Sequence, residues 1–191
     1  MEGGILSDAL SLNVRKVVIA GPVGSGKTTA LRTIFKDKLL STDANYSNTT
    51  PTDAKKTTTV AMDYGVLLCP ELPFKLHLYT VPGQERFQFM WEIIGKNADG
   101  LIVLIDAKQS NPIAAVHLYM KNIIQFLHHP VVLVALNKLT AEQRLMLRMP
   151  PYLRHDDIRL RLTSTDVRDE QEVLSVLRVL IDEMAIKQNG G

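Results

Sequence analysis

Eight consecutive residues, Gly21-Pro22-Val23-Gly24-Ser25-Gly26-Lys27-Thr28, complete the pattern G-x-x-x-x-G-K-[ST] directly behind the apolar run Val14-Arg15-Lys16-Val17-Val18-Ile19-Ala20. This pairing commits the chain to a buried strand, a tight glycine-rich turn and a helix, in that order. Glycines at 21, 24 and 26 let the backbone curl so that successive N–H groups point into a phosphate-sized hollow at the start of a helix near Lys27. Lys27 then supplies a point charge to the β- and γ-phosphates, and the Thr28 hydroxyl a ligand for magnesium. Ser25 and Thr29 belong to the same nucleotide-contacting stretch. Pro22 removes a donor early in the loop, ahead of the residues from Gly24 onward that face phosphate. The amphipathic continuation Ala30, Leu31, Ile34 and Phe35 separates the motif from a chance glycine turn. A chain built this way is expected to bind a nucleoside triphosphate.

At 191 residues the sequence reads as one domain, 1–191, with a proper core and no room for a second catalytic unit. Lys and Arg number 22 against 20 Asp and Glu, a balance that gives no electrostatic footprint for nucleic acid or for an anionic membrane. The longest apolar runs, Leu101 to Ile105 and Val131 to Leu136, fall far short of the roughly 20 residues of a membrane helix. No signal peptide or lipidation motif is legible, and the lone Cys69 fits a reducing compartment, so the expectation is a cytoplasmic protein without a direct membrane anchor.

Strand-like runs at Thr59 to Leu68 and Phe74 to Val81 are joined by Cys69-Pro70-Glu71-Leu72-Pro73, too short for a parallel crossover, and so predict an antiparallel hairpin. Ahead of them, Ser41 to Thr59 is rich in Ser, Thr, Asn and Asp and reads as a long polar loop of the functional kind. After them, strands and helices alternate: Leu101 to Asp106, a helix over Ile113 to Leu127, Val131 to Leu136, a short helix near Ala141 to Met149, a strand near Ile158 to Thr163, and a last helix from about Asp169 to Lys187. The plan is α/β, doubly wound, with a mostly parallel six-stranded sheet and one antiparallel edge strand. Helical stripes Val116, Met120, Ile123, Ile124, Leu127 and Val173, Val176, Leu177, Leu180, Met184 read as core. Histidines 117, 128 and 129 lack Cys or carboxylate partners at ligand spacing and read as surface or helix-end residues.

The residues Leu78-Tyr79-Thr80-Val81-Pro82-Gly83-Gln84-Glu85-Arg86-Phe87 resemble the second switch of Ras-like small GTPases, and with Asn137-Lys138 the resemblance covers nearly the whole chain. The Thr80-Val81-Pro82-Gly83-Gln84 form looks most like a bacterial branch that includes the MglA-type polarity GTPases; Thr57-Thr58-Thr59-Val60-Ala61-Met62-Asp63-Tyr64-Gly65 looks closest to the GTPases of actinobacterial conservon operons. The resemblance implies a P-loop NTPase fold, GTP and GDP as ligands with Mg²⁺, and slow GTP hydrolysis. By position it makes Gly83 a donor to the γ-phosphate, Gln84 the group that orients the attacking water, and Thr59 a magnesium ligand, with Thr57 and Thr58 as close alternatives. Asn137 and Lys138 would hold the base and brace the phosphate loop, and Thr163-Ser164-Thr165 resembles the loop that meets the guanine carbonyl.

The sequence also departs from that pattern. Thr80 stands where many Ras-like proteins place an Asp that holds a magnesium-bound water. Thr140 stands where Asn-Lys-x-Asp reads guanine through a bidentate carboxylate, with Asp166 as a substitute candidate. Val23 stands where Ras has glycine, and its isopropyl group is expected to crowd Gln84 and any arginine entering from a partner. These features keep a second reading open, a pseudo-GTPase that holds nucleotide without efficient turnover. A small P-loop kinase is disfavoured, because no arginine-rich lid follows the strand at Val131. Next to the switch, Phe87, Met90, Trp91 and Ile94 suit the core, while Phe89 and Ile93 fall away from it as a candidate partner surface. The resemblance implies a regulator of the roadblock/LC7 type and a downstream effector.

Overall fold

A computed structural model describes residues 13–47, 57–69, 72–128, 130–146 and 150–189. β1 (Asn13–Ala20) feeds the glycine loop into α1 (Lys27–Phe35), which is followed by β2 (Leu40–Ser47), β3 (Thr57–Leu68), β4 (Phe74–Thr80) and α2 (Gln88–Gly95). The remainder is β5 (Gly100–Asp106), α3 (Pro112–Ile123), β6 (Val131–Asn137), α4 (Ala141–Met146), β7 (Tyr152–His155), β8 (Ile158–Thr165) and α5 (Glu170–Asn189). One sheet of eight strands runs in the order β2-β3-β4-β1-β5-β6-β8-β7. Its centre is parallel, β4 and β5 flanking β1, then β6 and β8. Buried strands such as Leu101, Ile102, Val103, Leu104 and Ile105 in β5 are apolar throughout because both sheet faces are covered.

The expected hairpin of β3 and β4 is antiparallel, Tyr64 opposite Tyr79. The six-strand count is corrected to eight. Within the stretch read as a polar loop, Leu40–Ser47 is a strand that pairs antiparallel with β3, Leu40 opposite Tyr64 and Ser47 opposite Thr57. An edge strand has one bonded neighbour and needs no apolar run, so composition concealed it. At the far edge β7 folds back on β8 with Leu153 opposite Leu160, the two-residue turn carrying Asp156 at φ 51. That left-handed conformation is one that Asp tolerates. Antiparallel pairing therefore closes both edges rather than one.

Two apolar layers flank the sheet. On one face Val18, Val103, Ile105 and Val134 meet Trp91 of α2 and Val116, Met120 and Ile123 of α3; on the other Ile19, Leu104 and Leu133 meet Leu31 of α1 and Val176, Leu177 and Leu180 of α5. Both predicted helical stripes lie against the sheet, and Phe89 and Ile93 are exposed as expected, 44% and 69% accessible. Among the described residues no helix is long and apolar enough to cross a membrane. Leu180 is fully buried against the backbone of Gly100, where an added Cβ would lie 2.8 Å from its Cδ2. Leu180→Ala should therefore cost about 2–5 kcal/mol in urea unfolding, whereas Leu118→Ala on the exposed face of α3 should change it by less than about 0.5 kcal/mol. Equal losses would mean that α5 does not carry the core.

Candidate functional site

The C-terminal ends of the parallel strands bring the predicted residues to one rim of the sheet, with Thr80 ending β4, Asp106 ending β5, Asn137 ending β6 and Thr165 ending β8. The glycine loop leaves β1 in their midst. Gly26 has φ 109, and a Cβ there would come within 2.6 Å of Asn137 Nδ2 and 2.9 Å of Val167 Cγ2. Both the backbone conformation and the neighbours demand glycine. Helix α1 starts on this residue and its first turn, Lys27-Thr28-Thr29-Ala30, carries no carboxylate. Three of the other helices begin on capping side chains, whereas α2 has none at Phe87. Asn111 Oδ1 accepts from Ala114 N in α3, Thr140 Oγ1 from Gln143 N in α4, and Asp169 Oδ1 from Gln171 N in α5. The start of α1 is thus left to a ligand's anionic oxygens.

Lys27 lies inside the loop, its Nζ donating to Gly21 O at 2.8 Å and Pro22 O at 2.9 Å. Burial pushes its ammonium down to about 8, with the Asp63 charge working the other way. Asp63, on β3, is a site residue that sequence reasoning missed. It is 1% exposed, its N–H donates to Thr80 Oγ1 at 2.9 Å, and the Thr80 hydroxyl donates to Asp63 Oδ2 at 3.3 Å. Its Oδ1 has no hydrogen-bond partner among the described residues. The one available signal was a single charge in the otherwise uncharged strand Thr57–Leu68. An orphaned buried carboxylate oxygen beside a lysine, with the Thr28 hydroxyl in the adjacent first turn, is an oxygen donor set that suits magnesium.

Thr59, in β3, pairs through its backbone with Asn45 of β2; its side chain, like those of Thr57 and Thr58, lies outside what the structure describes. Gly83 sits directly on the phosphate loop, where a Cβ would stand 2.7 Å from Gly21 O, Pro22 C and Val23 N. Gln84 is exposed, and its Oε1 accepts from Arg86 Nε at 2.7 Å, while the Arg86 guanidinium lies 4.9 Å from the centre of the Phe87 ring. Val23 is 67% exposed.

Asn137 is almost fully buried. Its Nδ2 donates to Ser25 O at 2.8 Å, and its Oδ1 accepts from Lys138 N at 2.8 Å and Val167 N at 3.3 Å. Lys138, at φ 69, donates through Nζ to Gly24 O and to Asp106 Oδ2. Burial would raise the Asp106 carboxyl, but Lys138 and the Lys108 N–H outweigh it and hold the group below its ordinary value. Ser164 and Thr165 stand in register with Leu136 and Asn137; Ser25 and Thr165 are each 1% exposed, with hydroxyls that have no partner among the described residues. Thr140 is committed elsewhere. Its hydroxyl accepts from Gln143 N and its N–H donates to Gln143 Oε1, a reciprocal cap on α4. Asp166 accepts from Arg168 Nε, Nη2 and backbone N–H, and this arginine holds its carboxyl down to about 2.

Comparison with known proteins agrees with this geometry. Over 91% of this chain and 99% of the other, the fold matches the G domain of the T. maritima FeoB iron transporter, with a TM-score of 0.57 and 20% identity. An uncharacterised protein of Methanocaldococcus jannaschii is 33% identical over 94 residues, 49% of this chain and 52% of that protein. Intraflagellar transport protein 22 of Chlamydomonas reinhardtii is 26% identical over 91 residues, 48% of this chain and 43% of that protein. The chain thus spans about half the length of these curated relatives. Residues 16–140 match the family described as Ras of Complex, Roc, domain of DAPkinase, and the chain belongs to this family of Ras-like GTPase domains.

Proposed function

We propose that the protein is a nucleotide-dependent molecular switch that binds GTP and GDP and hydrolyses GTP slowly. The observation that carries this reading is the seat of Gly83 on Gly21, Pro22 and Val23, which closes the Thr80-Val81-Pro82-Gly83-Gln84 turn over the phosphate loop. A γ-phosphate lying there meets Lys27, the open start of α1 and the backbone of the second switch together. Its presence or absence is therefore felt by Gln84 and by α2, which follows in sequence. Hydrolysis would be mostly a matter of position and charge: water adds to the γ-phosphorus, the bond to the β-phosphate oxygen breaks, and GDP and inorganic phosphate leave. Gln84 would orient that water once Arg86 releases its amide oxygen.

Thr28, Thr59 and Asp63 would hold magnesium, Asp63 supplying the charge that Thr80 lacks. When bound, the ion neutralises charge on the phosphate oxygens. Asn137, Lys138, Ser164 and Thr165 would form the base side, with Thr140 contributing a helix cap rather than a carboxylate. The Thr80-Val81-Pro82-Gly83-Gln84 sequence and that of residues 57–65 support a place near the MglA and conservon branch and with it a regulator of the roadblock/LC7 type, and the lone Cys69 supports a cytoplasmic setting. Exposed Phe89 and Ile93 on α2 offer such a regulator or an effector an apolar contact beside the switch. The hydrogen bond that ties Gln84 to Arg86 favours the second reading, a binding module with little turnover.

Release of bound nucleotide by denaturation, followed by chromatography, should yield GDP or GTP; adenine nucleotides alone would sink the assignment. Lys27→Ala should reduce affinity for a fluorescent guanine nucleotide at least about tenfold without loss of fold. Because the Lys27 ammonium is charged below its value of about 8 and neutral above it, wild-type affinity should be full at neutral pH and fall as pH rises through that value. Lys27→Arg should remove this fall, since a guanidinium stays protonated.

Asp63→Asn should raise the magnesium concentration required for half-maximal GTP binding by about tenfold or more and leave nucleotide binding in chelator little changed. An unchanged magnesium requirement would remove Asp63 from the metal set. Thr140→Asp keeps a good helix cap while adding a carboxylate, so competition titrations should show a raised preference for GTP over ATP at unaltered melting temperature.

A further inference from the structure

Directly after the second switch, α2 carries a tryptophan whose ring is buried and whose polar atom has one task. Trp91, 1% exposed, donates its indole Nε1–H to the carbonyl oxygen of Pro82 at 2.8 Å. Its ring cannot swing freely, because Tyr119 of α3 lies 5.5 Å away, centroid to centroid, and Phe126 packs edge-on at 6.2 Å. The accepted carbonyl belongs to the same peptide unit as the Gly83 N–H. That unit is trans, so its C=O and N–H point in opposite directions. Fixing the oxygen on the indole turns the Gly83 N–H to the opposite edge of the peptide, away from the indole. Glycine at 83 offers little steric bias between one orientation of this peptide and its reverse. The indole bond therefore makes the choice.

We propose that Trp91 is a positioning residue: its indole N–H holds the Pro82–Gly83 peptide with the Gly83 N–H turned towards the phosphate loop, and so sets the preference for a nucleoside triphosphate over the diphosphate. This inference rests on the switch reading above. The nucleotide needs no contact with the indole, because the effect passes through one peptide plane. Tyr119 strengthens the arrangement by packing on Trp91, which holds the indole in place.

Trp91→Phe keeps an aromatic ring in the core and deletes the donor along with part of the ring area, a packing loss that acts on both nucleotide complexes alike and cancels in their ratio. Affinities of wild type and variant for GDP and for a non-hydrolysable GTP analogue provide the test. The expected result is a loss of about three- to tenfold for the triphosphate with GDP affinity unchanged, the size of one hydrogen bond. An unchanged triphosphate-to-diphosphate ratio would overturn the role of Trp91, whereas a wild type that binds neither nucleotide would overturn the switch reading itself. Should the variant fail to fold, wild type alone decides. The chain has a single tryptophan, so ¹⁵N-labelled protein gives one indole N–H signal. Slow solvent exchange of that proton in the triphosphate-bound protein supports the lock; exchange as fast as that of a free indole refutes it.

Discussion

One buried side-chain amide holds the candidate nucleotide site together. Asn137 reaches Ser25 in the phosphate loop with its donor, and with its acceptor takes the N–H groups of Lys138 and of Val167 beyond β8. Three segments far apart in sequence are fastened by one group that is 1% exposed. A buried amide left half paired costs more than the bond it lost, so each partner depends on the others staying in place. The glycine at 26 follows from the same constraint, because the space a side chain would need is filled by this amide and by Val167.

Around that amide the charges are arranged in pairs. Lys138 is shared between Gly24 and Asp106, Lys27 is buried in the loop near Asp63, and Arg144 grips both oxygens of Glu172, which also accepts from Asp166 N. Lys27, inside the loop, is held through the carbonyl oxygens of Gly21 and Pro22, leaving its charge for an anionic ligand. The proposed phosphate side is thus preorganised by backbone, and the proposed base side by side chains on β6 and in the segment after β8.

Much of this was legible in the sequence. The strand-loop-helix around Lys27, the hairpin of β3 and β4, the parallel centre and the two buried helical stripes follow from period and spacing, which report local geometry directly. What escaped was set by tertiary context. β2 is polar because an edge strand can be, and β7 was hidden in a short stretch, although Tyr-Leu-Arg-His, two aspartates and Ile-Arg-Leu-Arg alternate as a hairpin should. Asp63 could not be placed from sequence, since its meaning comes from Thr80 on the neighbouring strand. The threonine at 140 looked like a loss of base recognition; in the structure its hydroxyl starts α4, a use that only the geometry of Gln143 reveals.

The bare start of α1 has a thermodynamic consequence. A helix whose first N–H groups are completed by a bound anion is only as settled as that anion is abundant. Mass action then ties the resistance of the fold to the nucleotide supply: a ligand at a hundred times its dissociation constant adds about 2.7 kcal/mol, and a tenfold decline withdraws about half of it. Chain survival in a nucleotide-depleted setting becomes a reading of that depletion, because the unliganded form is the one most open to unfolding and degradation.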